Sequence, residues 1–267
     1  MHHRRLGLAP LVALALALPA AGAARAEDKP APPPASPPAA PAATDAVAQI
    51  KQLVTDIDVA LKGKDDGALT TLAKKSAPLY KATQDAPSKA ALMKALGSML
   101  KNPKLSSSRK AALDAMIESE DGKEAWKAIQ SQYPADDLDD PERFNLDFIK
   151  AVGALHPDAA IDRLLESFRK GKQADVSAAA ITALGNYHKS KQRERVFEEI
   201  VKAARNMVPS KSATANASPE TIARWAVISP ALGKALDTLT GDTVGDPSEW
   251  FKKYNDAKKN LKTLFKD

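Results

Sequence analysis

The spacing of apolar residues constrains this chain most, because it is helical from residue 45 to the last residue of the sequence. In the first segment apolar side chains recur every three or four residues, at Val47, Ile50, Leu53, Val54, Ile57 and Leu61. No segment shows the sustained alternation of apolar and polar residues that indicates a strand. Aromatic residues are only 5% of the chain, and the abundant alanine favours helix. We therefore predict an all-α domain over residues 45–267, built from about ten or eleven short helices.

Prolines mark where several of these helices begin. Proline is tolerated in the first turn of a helix, since its missing N–H would find no partner there. An Asp or Ser just before the proline can cap the free backbone N–H groups of that turn. This combination predicts helix starts at Pro141, Pro219, Pro230 and Pro247, and His156-Pro157-Asp158 predicts another.

Part of the chain repeats itself with an offset of 32 residues: residues 149–156 align with residues 181–188. Both segments contain a glycine at the same place, Gly153 or Gly185, where a small residue lets neighbouring helices approach closely. The alignment continues into the following helices at Arg163 and Arg195, Leu164 and Val196, Leu165 and Phe197, Glu166 and Glu198, and Phe168 and Ile200. Stacked helix pairs can bury apolar faces that a single pair would leave exposed.

Two weaker copies of this pattern begin at Lys94, which is followed by Ala-Leu-Gly, and at Arg109. A helix that reads Ala-Leu-Gly near its end, then a short turn and a second apolar helix, resembles HEAT-like repeats. The resemblance covers residues 88–267. It implies an α-solenoid of stacked antiparallel helix pairs that binds or scaffolds other proteins, and it implies no catalytic residues.

The C-terminal segment adds to this resemblance. Residues 236–241, then Val244-Gly245-Asp246-Pro247 and Trp250, are similar to the closing segment of many exported bacterial HEAT-like proteins. Those proteins often carry a second tryptophan one turn later, and Tyr254 stands at that place here.

Residues 1–26 have the pattern of a secretory signal peptide. Two arginines precede an apolar run over residues 6–18, and the small residues of Ala24-Arg25-Ala26 follow as a cleavage site. The alternative is a membrane anchor, which needs roughly 20 apolar residues to cross the hydrocarbon core. Because this run is shorter, we expect cleavage before Glu27 and a periplasmic or secreted protein.

Residues 27–44 predict a disordered Pro/Ala-rich linker, since seven of these eighteen residues are proline.

The chain has no cysteine, which excludes lipid attachment at a cysteine and also excludes structural disulfides. The apolar core alone must therefore stabilise the domain. Loss of Arg4, Arg5 and Arg25 with the signal reduces the formal net charge from +6 to +3. A chain this close to balance lacks the basic footprint of a nucleic-acid-binding protein.

Motifs for catalysis are missing from the sequence, including those of zinc proteases, serine hydrolases and phosphate-binding loops. His156 and His188 share a repeat position, so they form either a shared metal or pH-sensing site or polar helix ends. The acidic residues 136–142 either bind calcium or form a solvated loop with a helix cap, and they lack the glycine of a calcium loop. We expect no enzymatic activity, no cofactor, no metal and no small-molecule substrate.

Two segments are further candidates for contact with a partner. The polar residues 209–218 predict a surface loop between repeats, where binding residues of repeat proteins often lie. A predicted last helix, residues 247–266, places Trp250 and Tyr254 on one face and six lysines around the rest. This helix either closes the end of the solenoid or lies on a membrane surface.

The function indicated is that of an exported, non-catalytic scaffold that binds another protein through an α-solenoid surface. The alternative is an envelope-associated structural protein that contacts membrane or wall through its basic C-terminal helix, and an enzyme fits the sequence less well.

Arg163 and Glu166 project opposite the apolar side of their helix, and Arg195 and Glu198 do so one repeat later. These four residues predict a charged ladder on the concave face as the partner site. The alternative is a solvated face with weak pairs inside each helix.

The signal peptide predicts the N-terminus of the mature protein. Protein isolated from the cells that make it should begin at Glu27 and be found in a soluble periplasmic or secreted fraction. N-terminal sequencing measures this directly, and a sequence that begins at Met1 would contradict export by this signal.

Overall fold

The computed structural model describes residues 43–102, 104–132, 141–209 and 218–266. Within these ranges the chain is helical and has no strand, which confirms the predicted all-α class. The α-helices are α1 Ala43–Gly63, α2 Asp66–Ala82, α3 Ala86–Met99, α4 Ser106–Ser119, α5 Gly122–Ile129, α6 Pro141–Leu155, α7 Ile161–Lys170, α8 Ala174–Gly185, α9 Arg193–Arg205, α10 Pro219–Thr240 and α11 Pro247–Ala257. Short 3-10 helices span Gln130–Gln132, Asp158–Ala160, Asn186–Lys189 and Leu261–Leu264.

Several predictions fall outside the described residues. The signal peptide and the linker up to residue 42 do so, as do residues 136–140 of the acidic segment and residues 210–217 of the polar loop. The first helix begins at Ala43, two residues before the predicted start of the domain.

Three of the predicted proline starts are confirmed. Helix α6 begins at Pro141, α10 at Pro219 and α11 at Pro247. At α10 the Ser218 hydroxyl accepts a hydrogen bond from the backbone N–H of Thr221 at 3.2 Å. This is the capping contact that the Ser-Pro sequence predicts.

The predicted helix start at Pro230 is wrong. Helix α10 runs without a break from Pro219 to Thr240 and contains Pro230 in its interior. An interior proline removes one backbone hydrogen bond and strains the turn before it. Ile228 and Leu232, on either side of this position, are fully buried, so packing against the core keeps the helix continuous despite this local cost.

The helices pack in two rows, and successive helices alternate between them. In one row α2, α4, α6, α8 and α10 each contact the next. The other row has two parts: α3 contacts both α1 and α5, and α9 contacts both α7 and α11. A single apolar core extends from α1 to the C-terminal residues, and it contains Ile50, Leu92, Phe148, Phe197 and Trp250, each at most 1% exposed.

The two clearest repeat segments occupy equivalent places in these rows. Helices α6 and α8 are neighbours in one row, and α7 and α9 are neighbours in the other. A Cβ atom added at Gly153 would lie 2.7 Å from the Cβ of Ala183, and one at Gly185 would lie 3.1 Å from the Cα of Ala235. Glycine at these positions therefore lets α8 pack closely between α6 and α10.

The two weaker copies lie in different rows. The copy that begins at Arg109 lies in α4, in the same row as α6 and α8. The copy that begins at Lys94 lies in α3, in the opposite row, and its Gly97 faces α5. A Cβ atom there would lie 2.7 Å from the carbonyl oxygen of Ala128. This weaker copy therefore differs from α6 and α8 in its row, although its glycine also permits close packing.

Close packing at Gly153 predicts a measurable loss of stability on substitution. Gly153→Ala should lower the free energy of unfolding by about 1–3 kcal/mol, because the new methyl group overlaps Ala183 and the helices must separate. The matched control is Gly63→Ala at the end of α1, where an added Cβ has no atom within 4 Å. Alanine there should leave stability unchanged or raise it by up to about 1 kcal/mol. Urea denaturation followed by circular dichroism measures both, and a Gly153→Ala variant as stable as wild type would contradict the packing argument.

Candidate functional site

The four residues of the predicted charged ladder lie on two contacting helices. Arg163 and Glu166 belong to α7, and Arg195 and Glu198 belong to α9. Their side chains are roughly one third to one half exposed. The opposite side of each helix is buried, so the predicted division between an apolar and a charged side is present. We call the exposed side of these two helices the α7–α9 surface.

Within α7 the ladder residues pair with each other and with a lysine. Arg163 Nη1 lies 3.1 Å from Glu166 Oε2, and Lys170 Nζ lies 3.1 Å from Glu166 Oε1. The Lys170 ammonium and the Arg163 guanidinium hold the pKa of Glu166 below its ordinary value, so this carboxylate is ionised at neutral pH. Exposed pairs of this kind contribute about 0.2–1 kcal/mol each.

Ion pairs also join the two helices. Arg195 of α9 binds the carboxylate of Asp162 in α7, and Arg169 of α7 binds the carboxylate of Glu199 in α9. The Arg195 guanidinium also donates to Gln192 Oε1 at 2.8 Å. The pairing of Arg195 thus differs from that of Arg163, which stays within its own helix. Sequence reasoning missed Asp162 and Glu199, because their partners become neighbours only when α7 and α9 pack together.

Glu198 connects the α7–α9 surface to the C-terminal helix. Its Oε1 atom lies 3.0 Å from Lys202 Nζ and accepts a hydrogen bond from the Tyr254 hydroxyl at 3.3 Å. Burial and the Glu198 carboxylate raise the pKa of Tyr254, so its hydroxyl stays protonated and can donate. The surface therefore carries a mixture of both charges, and its chemistry suits a polar, charged protein surface better than an apolar one. Its role in binding stays a prediction.

A second polar region, a cleft of about 540 Å³, lies between α2, α4 and α6. Its deepest charged residue is Arg109, which is only 4% exposed. Arg109 Nη1 donates to the Asn102 carbonyl at 3.1 Å, and its guanidinium carbon lies 5.4 Å from the centre of the Phe144 ring. These contacts join α4 to the preceding turn and to α6. The sequence marked Arg109 only as the start of a weaker repeat copy and gave no sign of its burial, since arginine in a helix is usually exposed.

The two histidines lie in different surroundings. His156 Nδ1 is 3.0 Å from the Ala154 carbonyl oxygen, and its ring stands edge-on to Tyr187 at 6.3 Å. His188 Nδ1 is buried and makes no hydrogen bond to a described residue. Within the described ranges, no group of three or more His, Asp or Glu side chains could hold a metal ion.

The C-terminal helix is shorter than predicted, and its apolar face is buried. Helix α11 ends at Ala257, and a 3-10 helix follows at Leu261–Leu264. Asn260 between them has non-helical dihedral angles (φ −150°, ψ 77°), which redirect the chain so that Leu261 packs against the core. A single helix over residues 247–266 is therefore a wrong prediction.

The aromatic residues of α11 contact the preceding helices. Trp250 and Tyr254 are 0% and 2% exposed, and both rings contact Phe197 of α9. Trp250 Nε1 also donates to Asp237 Oδ1 of α10 at 2.8 Å. Burial of this face favours the interpretation of α11 as a closing helix over that of a membrane-surface helix. Among the described residues, no helix has the length and apolarity required to cross a membrane.

Burial of Trp250 predicts that the domain depends on this contact. Trp250→Ala should lower the free energy of unfolding by about 3–5 kcal/mol, because it leaves a cavity beside Phe197. Lys252→Ala, an exposed position on the same helix, should change stability by less than about 0.5 kcal/mol. Thermal melting distinguishes the two variants. Unchanged melting of Trp250→Ala, together with weaker sedimentation on liposomes, would instead support a membrane-surface helix.

Comparison of the chain with protein-family models, with curated proteins and with solved structures gives no match.

Proposed function

We propose that this protein is an exported, non-catalytic scaffold that binds another protein through a surface of a HEAT-like α-solenoid. One observation supports the proposal: in the two segments related by the 32-residue offset, α6 contacts α8 and α7 contacts α9. Stacked helix pairs of this kind present extended surfaces, built from successive helices, on which partners bind. The periplasmic or secreted location belongs to the same proposal and rests on residues 1–26.

The α7–α9 surface is the proposed contact. Arg163 and Arg195 stand at equivalent repeat positions on adjacent helices, and arginine offers a planar fork of donors that suits carboxylates. Their present partners, Glu166 and Asp162, are exposed, so each pair contributes little to stability. Carboxylates of a partner can replace them at little cost to the fold. The surface is thus preformed, and a protein partner needs only to exchange one set of ion pairs for another.

The membrane alternative has weaker support. Binding of an amphipathic helix to a membrane surface requires an apolar face that enters the acyl region. In α11 the largest apolar side chain, Trp250, lies in the core. The lysines around this helix then serve to keep the closed end of the domain soluble.

Charge reversal on the α7–α9 surface tests the proposal. The double variant Arg163→Glu, Arg195→Glu should lose the protein that wild type captures from the periplasmic or secreted fraction, because two donors are replaced by repulsive carboxylates. Its melting temperature should stay close to that of wild type, since only exposed ion pairs are removed. Affinity capture with mass spectrometry measures the first effect, and circular dichroism measures the second.

The matched control makes the same change of charge elsewhere. Lys51→Glu with Lys62→Glu reverses two exposed lysines on α1, and it should capture the same protein as wild type. A double variant on α7 and α9 that still captures this protein would show that the α7–α9 surface is not the binding site.

A further inference from the structure

A groove of about 710 Å³ opens near the C-terminal end of the domain. It is bordered by the 3-10 helix Asn186–Lys189, the start of α9, the end of α10 and the 3-10 helix Leu261–Leu264. The charged residues that line it are Lys189, Lys191, Arg193, Glu194, Lys262 and Lys266. Among the described residues the lining thus contains five cationic side chains and one carboxylate. We call this region the C-terminal groove.

Most of the positive charge in the C-terminal groove is not neutralised by described residues. Lys189, Lys191 and Lys262 form no ion pair with any part of the chain that the structure describes. Lys266 differs, because its ammonium lies 3.0 Å from the carboxylate of Asp242. The groove therefore differs from the α7–α9 surface, where each predicted ladder arginine pairs with a carboxylate.

Arg193 is held in place by uncharged groups. Its guanidinium donates to the backbone carbonyls of His188 at 3.3 Å and of Lys266 at 3.1 Å, and it lies 4.8 Å from the centre of the Phe265 ring. A guanidinium has five N–H donors, and these contacts use two of them. The side chain is thus oriented in advance, and donors remain for an anionic ligand.

These observations point to an acidic ligand of extended shape. We infer that the C-terminal groove binds a peptide segment rich in Asp and Glu. The inference rests on the proposed function, because the segment would belong to the protein that the scaffold binds. Spaced lysines on flexible stems can each meet one carboxylate along such a segment, while Arg193 offers a fixed point that sets its position. Clustered positive charge also accelerates association with an acidic partner.

An anionic membrane fits the groove less well than a peptide. Membrane-surface binding combines charge with apolar groups that enter the lipid. The exposed large apolar residues of the described chain are Val59, Ile222 and Val227, and none of them lines the groove. Phe265, which lines the groove, packs against Phe197 and Arg193 instead.

The experiment uses a defined peptide, so it does not depend on knowing the partner. A fluorescein-labelled peptide of eight glutamates is titrated with the purified protein, and fluorescence anisotropy measures binding at low and at physiological salt. Wild type should bind, with affinity that falls as salt rises. The triple variant Lys189→Glu, Lys191→Glu, Lys262→Glu should bind about tenfold more weakly or worse. Its circular dichroism spectrum should match that of wild type, because all three positions lie on the surface.

Two controls separate the groove from general charge and from the α7–α9 surface. The first control makes the same change of net charge on exposed positions of α1 and α2, with the triple variant Lys51→Glu, Lys62→Glu, Lys75→Glu. Its affinity for the peptide should stay within about twofold of wild type. The Arg163→Glu, Arg195→Glu variant should also retain peptide binding. The inference would be overturned if the triple groove variant and the lysine control lost peptide affinity equally. It would also be overturned if the groove variant bound the peptide as tightly as wild type.

Sedimentation with phosphatidylglycerol vesicles distinguishes the membrane alternative. Wild-type protein should stay in the supernatant at physiological salt. The inference would be overturned in favour of a lipid surface if wild type sedimented with vesicles, the triple variant did not, and neither protein bound the peptide. A third outcome is capture of a protein through the α7–α9 surface without binding of the peptide. This result would overturn the inference about the groove but would not contradict the proposed function.

Discussion

The close approach of helices at small residues is the contact on which the rest of the structure depends. Gly153 faces Ala183, and Gly185 faces Ala235, so α8 lies close against both α6 and α10. Since α7 and α9 follow these helices through short connections, the same packing brings α7 and α9 into contact. Their exposed sides then form one surface. A larger side chain at either glycine would therefore change the candidate site as well as the core.

Once α7 and α9 are in contact, electrostatics determines how their charged residues are used. Arg163 finds Glu166 within its own helix, whereas Arg195 reaches Asp162 on the neighbouring one. Exposed pairs of this kind are weak, so they orient the side chains but can be replaced by ion pairs with a partner. A surface of this type can exchange partners, which suits a protein-binding function. The C-terminal groove differs, because several of its cations have no carboxylate partner among the described residues.

The C-terminal end of the domain is closed through one carboxylate. Asp237 of α10 accepts hydrogen bonds from the backbone N–H groups of Val244 and Gly245, and from the indole of Trp250. This fixes the turn after α10 and places the Trp250 ring in the core. The chain then returns, and the N–H of Lys266 donates to the Thr240 carbonyl at 2.8 Å. That return brings the last lysines beside the start of α9 and so creates the C-terminal groove.

The sequence by itself determined the helical class, the starts of α6, α10 and α11, the 32-residue repeat and the division of α7 and α9 into apolar and charged sides. These features depend on residues a few positions apart, whose spacing and capping groups act within one helix. Only the tertiary structure decided that α10 continues through Pro230, that Arg109 is buried, and that Arg195 pairs with Asp162. It also decided where α11 ends and which lysines share the groove. The physical reason is that these outcomes depend on contacts between residues far apart in the chain, where burial and pairing outweigh local preference.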